Sequence, residues 1–142
     1  MTDREMMKRD RASASLGMVV ERDDVGHAVV SMVLRDDMMN GHDITHGGFV
    51  FALADTAFAI ACNDDETVTV ASGADISFLK STTAGQTLRA TAVERARRGR
   101  TGLFDVTVVD ETGDAVAEFR GRSVTTDRAV PRSGDSPRAE AS

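Results

Sequence analysis

The chain has 142 residues, of which 41% are hydrophobic and 28% charged, a balance that fits one globular domain with its own core and needs no staples. Its net charge of −6 excludes a protein that grips nucleic acid through a basic surface. Cys62 is the single cysteine, which excludes a disulfide within the chain.

In chain order, residues 3–15 mix charges with Met and Ala, contain no Gly or Pro, and predict a short helix. They are too charged for a signal peptide, so a cytoplasmic location is expected. Residues 26–35, GHAVVSMVLR, are rich in β-branched side chains and predict a strand. Residues 38–48, MMNGHDITHGG, form a loop that holds the turn dipeptide Asn40-Gly41 and ends in two glycines. The next stretch, 48–62, is alanine-rich and apolar almost without relief, which predicts a helix. It is too short to span a membrane and it carries Asp55. A helix apolar on every side has to be surrounded, and the chain beyond it reads as strand after strand.

Residues 67–80 predict a long strand with Gly73 as a bulge or close-approach point. Residues 87–98 predict another, with a hairpin tip at Arg98-Gly99-Arg100, and residues 102–110 pair back. A turn at 111–114 leads to a last strand at 115–126, with Val116, Glu118, Arg120 and Arg122 on one face. The segment 127–142 holds both prolines among Ser, Gly and charges and is expected to be a disordered tail. The expected architecture is α+β: one domain over 1–126, in which a long antiparallel sheet wraps one central apolar helix.

Asp55 is the residue that this architecture does not explain. An ionised carboxylate in apolar surroundings costs several kcal/mol unless it is solvated or paired. The positions three and four residues away are Phe51, Ala52, Phe58 and Ala59, none of them cationic. Asp55 therefore meets a cavity, water or another chain; a buried Asp hydrogen-bonded to backbone or to a neighbouring subunit is the bland alternative. Desolvation would make it a stronger base than an exposed Asp. At the helix start, His46-Gly47-Gly48 offers backbone N–H groups at the positive end of the helix dipole, without side chains to block a ligand oxygen. Such donors can hold an oxyanion, although a tight turn into a helix needs glycine too. Gly47 and Asp55 lie eight residues apart, about 12 Å along a helix. One copy cannot easily bring both to the same carbonyl, whereas two antiparallel copies can. The spacing points to an obligate dimer with shared sites.

NGHDITHGGFVFALADTAFAIACN, residues 40–63, with ASGADISFLK and AEFRGRS further on, resembles the hotdog-fold acyl-CoA thioesterases of the phenylacetic-acid-degradation, PaaI-type, family. The resemblance extends over residues 12–126. It implies a hotdog fold, dimers that pair into tetramers, and hydrolysis of acyl-CoA thioesters without metal or other cofactor. It implies that Asp55 is the catalytic carboxylate, as nucleophile or as general base. It further implies that Gly47 donates its N–H to the thioester carbonyl, that His46 supports that loop, and that Asn40 lies beside the carboxylate or the attacking water. Ser72 is the match for a hydroxyl that assists the carboxylate. Gly48 and Phe78 are candidates for substrate contact, the latter with core packing as the alternative for it as for Phe51 and Phe58. Arg98 and Arg120 are candidates for the phosphates of coenzyme A, from a set that includes Arg95, Arg97, Arg100 and Arg122, with a solvated surface role as the alternative. No nucleic-acid or membrane partner is expected. The rival functions are a hotdog hydratase or dehydratase of enoyl thioesters, and a non-catalytic acyl-CoA-binding protein. H-G-G with L-A-D fits hydrolysis better than the first, and the second calls for an added basic helical domain.

Overall fold

The computed structural model describes residue 2 and residues 4–132. The elements are α1 (Glu5–Lys8), α2 (Arg11–Ser15), β1 (Val19–Asp24), β2 (His27–Val33), a single 3-10 turn (Asp36–Met38), α3 (Gly47–Cys62), β3 (Thr67–Phe78), β4 (Thr87–Arg98), β5 (Thr101–Val109) and β6 (Ala115–Ala129). The strands form one sheet in the order β1-β2-β4-β5-β6-β3, every neighbouring pair antiparallel. α3 touches all six strands. No helix among the described residues is long and apolar enough to cross a membrane.

Alternation decides which side of the sheet meets the helix. Leu88, Ala90 and Ala92 on β4, and Gly102, Phe104, Val106 and Val108 on β5, are buried at every second position, the period of a pleated strand. Phe58 is the centre of what they enclose. Its ring lies 5.5 Å from that of Phe104 and 5.8 Å from that of Phe119. Gly121 leaves it room, for a Cβ there would stand 2.6 Å from the Phe58 ring. Full burial of such a ring stabilises the fold by about 1.5–3 kcal/mol.

Several expectations need correction. The N-terminal helix expected over 3–15 is two short helices, because the Asp10 side chain accepts from Ser13 N and starts a new one. A strand precedes the one expected first: VVERDD is β1, an edge strand whose mostly exposed charged positions hide its pattern. The turn expected at Asn40-Gly41 is present, with Asp43 N donating to Asn40 O at 3.1 Å, and Asp43 takes the left-handed conformation, with φ 58°. Val116 is buried with Ala117, because the β5–β6 register slips at Val108/Val109; Glu118, Arg120 and Arg122 then share the exposed face without it. β6 also runs past the expected boundary at 126, to Ala129. Val130 N donates to Glu66 O and Arg9 to Arg132 O, so the start of the expected tail is bonded into the domain. Residues 133–142 lie outside the described residues. The bulge expected at Gly73 is present, as a register shift between Ala71 and Gly73.

The sheet does not surround α3 completely. Gly48 and Phe51 are exposed, and Ala52, Asp55 and Ala59 half-buried, along one stripe at helical spacing. At the neighbouring edge, β3 pairs on one side only, with β6, and leaves Val70, Phe78 and Leu79 exposed. Replacement of Gly121 by Ala drives a methyl group into the enclosed Phe58 ring. The expected cost is about 1–3 kcal/mol, read as a lower midpoint in urea unfolding with an unchanged slope.

Candidate active site

Four hydrogen bonds hold the start of α3 in place. Thr45 N donates to Thr82 O at 2.9 Å, and the two threonine hydroxyls meet at 2.7 Å in the interior. His46 N donates to Met38 O. The His46 side chain is the N-cap: its Nδ1 accepts from Gly48 N at 3.1 Å. This acceptor role leaves the imidazole proton on Nε2.

The glycine pair is thereby divided. Gly48 N–H is taken by His46, whereas Gly47 N–H has no acceptor among the described residues. Gly47 thus presents an open donor at the positive end of a 16-residue helix. Above it lies Phe78, whose Cζ would stand 2.9 Å from a Cβ at position 47. Phe78 is 55% exposed, so its ring forms a wall beside the open N–H and is not core. Just beyond the end of β3, Lys80 bonds Asp110 at 2.6 Å and Asp114 at 2.9 Å. That bond holds the Asp110 carboxyl well below the usual carboxylate range.

Asp55 lies two turns further along α3 and is half-buried. Its carboxylate has no hydrogen-bond partner among the described residues. Burial pushes its pKa above the ordinary 3.8, and the negative charge of Asp10 adds to the shift. The charge is therefore tolerated, not compensated, in one copy of the chain. A bond from Asp55 to backbone, one half of the bland alternative, is absent among the described residues.

Other candidates lie elsewhere. Asn40 Oδ1 accepts from His42 N at 2.8 Å and Ile44 N at 3.4 Å, which closes the loop before α3. Ser72 is exposed on β3, and its Oγ donates to Arg122 O across the β3–β6 pair. One chain does not join either of them to Asp55 by a bond. Arg120 lies on the face of the sheet opposite α3, paired with Asp105 at 2.7 and 3.0 Å, where Arg95 joins it at 3.1 Å. Arg98 is exposed at the β4–β5 turn. Cys62 is buried with its thiol pushed up to about 12, the state of an inert core thiol. It edges a cleft of about 300 Å³ at the C-terminal end of α3, with Asp64, Thr69, Arg97 and Arg100; this cleft is lined by neither Gly47 nor Asp55. Asp10 and Ser13, which meet Thr56 beside Asp55, were not legible as site residues in the sequence. Asp-x-x-Ser at a helix start was the available signal.

Residues 42–117 match the model of the thioesterase superfamily. The chain is 44% identical over 118 residues to the acyl-coenzyme A thioesterase PaaI of Escherichia coli K12, covering 83% of this chain and 84% of that protein. The structure of the E. coli PaaI protein from the phenylacetic acid degradation operon superposes with a TM-score of 0.85 at 41% identity, over 89% of this chain and 91% of that one. A variant of the phenylacetic acid degradation protein PaaI from Thermus thermophilus gives 0.76 at 37% identity, over 81% and 98%.

Since the Asp55 pKa is raised in the fold, its ionisation costs stability as pH rises from the unfolded value through the folded one. The loss is absent below the unfolded pKa, where both states carry the neutral acid. Asp55→Asn is accordingly expected to raise the melting temperature at pH 7–8. The gain should vanish toward pH 3, as followed by calorimetry across pH.

Proposed function

The chain belongs to the thioesterase superfamily and is a hotdog-fold hydrolase of acyl-CoA thioesters; we propose that its acyl group is of the arylacetyl type and that two copies of the chain share each active site. The observation that carries the shared site is the pairing of an unoccupied Gly47 N–H with an unpartnered Asp55 carboxylate on one rigid helix. Two turns of helix hold them about 12 Å apart. A carbonyl carbon has to lie within about 3 Å of both the oxyanion donor and the attacking group. A second copy with its helix antiparallel to the first removes the conflict.

The stripe left open on α3 and the unpaired edge of β3 adjoin each other, and both suit a self-complementary two-fold contact. Pairing of two such dimers into a tetramer belongs to the same proposal. The aryl group is supported by the identity with E. coli PaaI, a protein of the phenylacetic acid degradation operon. Phe78 beside Gly47 supplies an aromatic wall for it.

In the reaction, Gly47 N–H of one copy donates to the thioester oxygen, which gains negative charge as the carbonyl carbon becomes tetrahedral. Asp55 of the partner subunit removes a proton from water, and the hydroxide oxygen bonds to that carbon. The intermediate collapses with cleavage of the C–S bond. Thiolate leaves and is protonated, and the free acid departs. A general-base role suits a carboxylate whose pKa is raised by burial. Any help from Ser72 and Asn40 then comes from the protomer facing Asp55. Arg98 at the β4–β5 turn is the better placed group for phosphate, since Arg120 is engaged by Asp105, Arg97 by Glu94 and Arg100 by Asp127.

Asp55→Asn is expected to lower kcat for phenylacetyl-CoA by about 10²–10⁴-fold in a thiol-release assay. Single turnover in ¹⁸O-water should place the label in the released acid and none in Asp55; label in Asp55 would instead identify a nucleophile. Sharing of the site has its own test. Gly47→Val and Asp55→Asn chains, each inactive alone, should regain about a quarter of wild-type activity when refolded together at equal amounts. No recovery in the mixture, with heterodimers demonstrated by mass, would exclude the shared site.

A further inference from the structure

We propose that the N-terminal segment is a positioning element for Asp55, acting through the hydrogen-bond chain Asp10–Ser13–Thr56. This rests on the reading of Asp55 as the catalytic carboxylate, and concerns residues on which that reading is silent.

The geometry is closed at each step. Asp10 Oδ1 accepts from Ser13 N at 2.9 Å, and Oδ2 accepts from Ser13 Oγ at 2.6 Å. Ser13 Oγ lies 2.9 Å from Thr56 Oγ1. Ser13 is 4% and Thr56 9% exposed, and Thr56 follows Asp55 directly in α3. A serine hydroxyl has one proton, and the short bond to a carboxylate claims it. Ser13 Oγ is therefore left as acceptor, and Thr56 donates to it. The chain has one direction: Thr56 to Ser13 to Asp10, with negative charge at its end.

The segment that carries this chain is anchored a second time. Arg4 is buried and donates to Ile60 O at 3.0 Å, to Asn63 O and, with its other terminal nitrogen, to Asp23 O at 2.7 Å. Arg4 thus takes carbonyls at the C-terminal end of α3 while Ser13 holds Thr56 in its middle. Asp55 directly precedes Thr56, the first of these two fixed points along α3, so the helix turn that follows it is tied to the N-terminal segment at both its ends. The same arrangement sets Asp10 where its charge acts on Asp55. Arg11 beside Asp10 is exposed, Arg9 binds Arg132 O, Arg4 pairs with Asp65, and the strand residues that face α3 are mostly apolar. Arg4 and Arg97 act on Cys62, seven residues beyond, together with Asp55 itself. Among the described residues, Asp10 is the charge that acts on Asp55. A base that must take a proton from water gains from it, since the charge favours the protonated form.

The test uses the full-length chain with Asp10→Asn, Ser13→Ala and Asp55→Asn. Asn keeps the capping oxygen and loses the charge. The acid limb of kcat/KM against pH, with phenylacetyl-CoA, is expected to move to lower pH in Asp10→Asn. In Ser13→Ala, kcat should fall about tenfold at unchanged KM. Carboxyl ¹³C titration, with the Asp55 signal assigned by its loss in Asp55→Asn, should show the same downward movement in Asp10→Asn without recourse to activity. An unmoved Asp55 titration in folded Asp10→Asn overturns the proposal. So does a Ser13→Ala protein that loses only melting temperature. Full hydrolysis by Asp55→Asn would instead overturn the catalytic reading of Asp55, and the carboxyl titration would still decide the coupling.

Discussion

A carboxylate half withdrawn from water on the least polar helix of the chain is the constraint around which this structure is organised. Nothing on α3 neutralises Asp55, and burial together with Asp10 weakens its acidity. Such a group is a standing loss of stability, and it persists where the surroundings over-determine it. The surroundings do so here. Phe58, Phe104 and Phe119 fix one face of α3 against β5 and β6, with Gly121 cut away to admit the ring.

Both ends of α3 are finished by groups distant in sequence. At the start, His46 satisfies Gly48 N–H and leaves Gly47 N–H open. At the finish, Gly26 N donates to Ala61 O, Arg4 takes Ile60 and Asn63 carbonyls, and the Asn63 side chain bridges to both Thr69 backbone groups. The contrast has a functional consequence. The end that needs rigidity alone has its Ala59, Ile60 and Ala61 carbonyls bonded, while the end aimed at substrate keeps the Gly47 donor in reserve for charge that develops during reaction.

Charge on the sheet is arranged separately from charge at the site. The arginines of β4 and β6 mostly face away from α3 and pair with carboxylates across strands: Arg120 and Arg95 with Asp105, Arg122 with Asp75, Arg89 with Glu21. Exposed pairs of this kind contribute about 0–1 kcal/mol each. They match the charges on the face of the sheet turned away from α3. The side that carries α3 is mostly apolar, with Asp55, Asp10 and the buried Arg4 as its charges.

The fold was largely legible because its signals are local. The alanine-rich run that became α3, the alternation in β4 and β5, the glycine at the β4–β5 tip and the bulge at Gly73 each follow from a few neighbouring residues. β1 was missed because an edge strand buries little and so carries charges at most positions. At the site, the sequence by itself determined which residue types are present: a lone acid in an apolar helix, and two glycines ahead of it. It could not determine that His46 spends one glycine N–H and leaves the other, that Arg120 faces the wrong side of the sheet, or that Asp10 and Ser13 reach Thr56 across 43 residues. Those outcomes depend on register and on packing between distant segments. One residue of strand slip sends a side chain to the opposite face, and a helix cap is chosen by where the loop is tethered. Only the folded chain sets either.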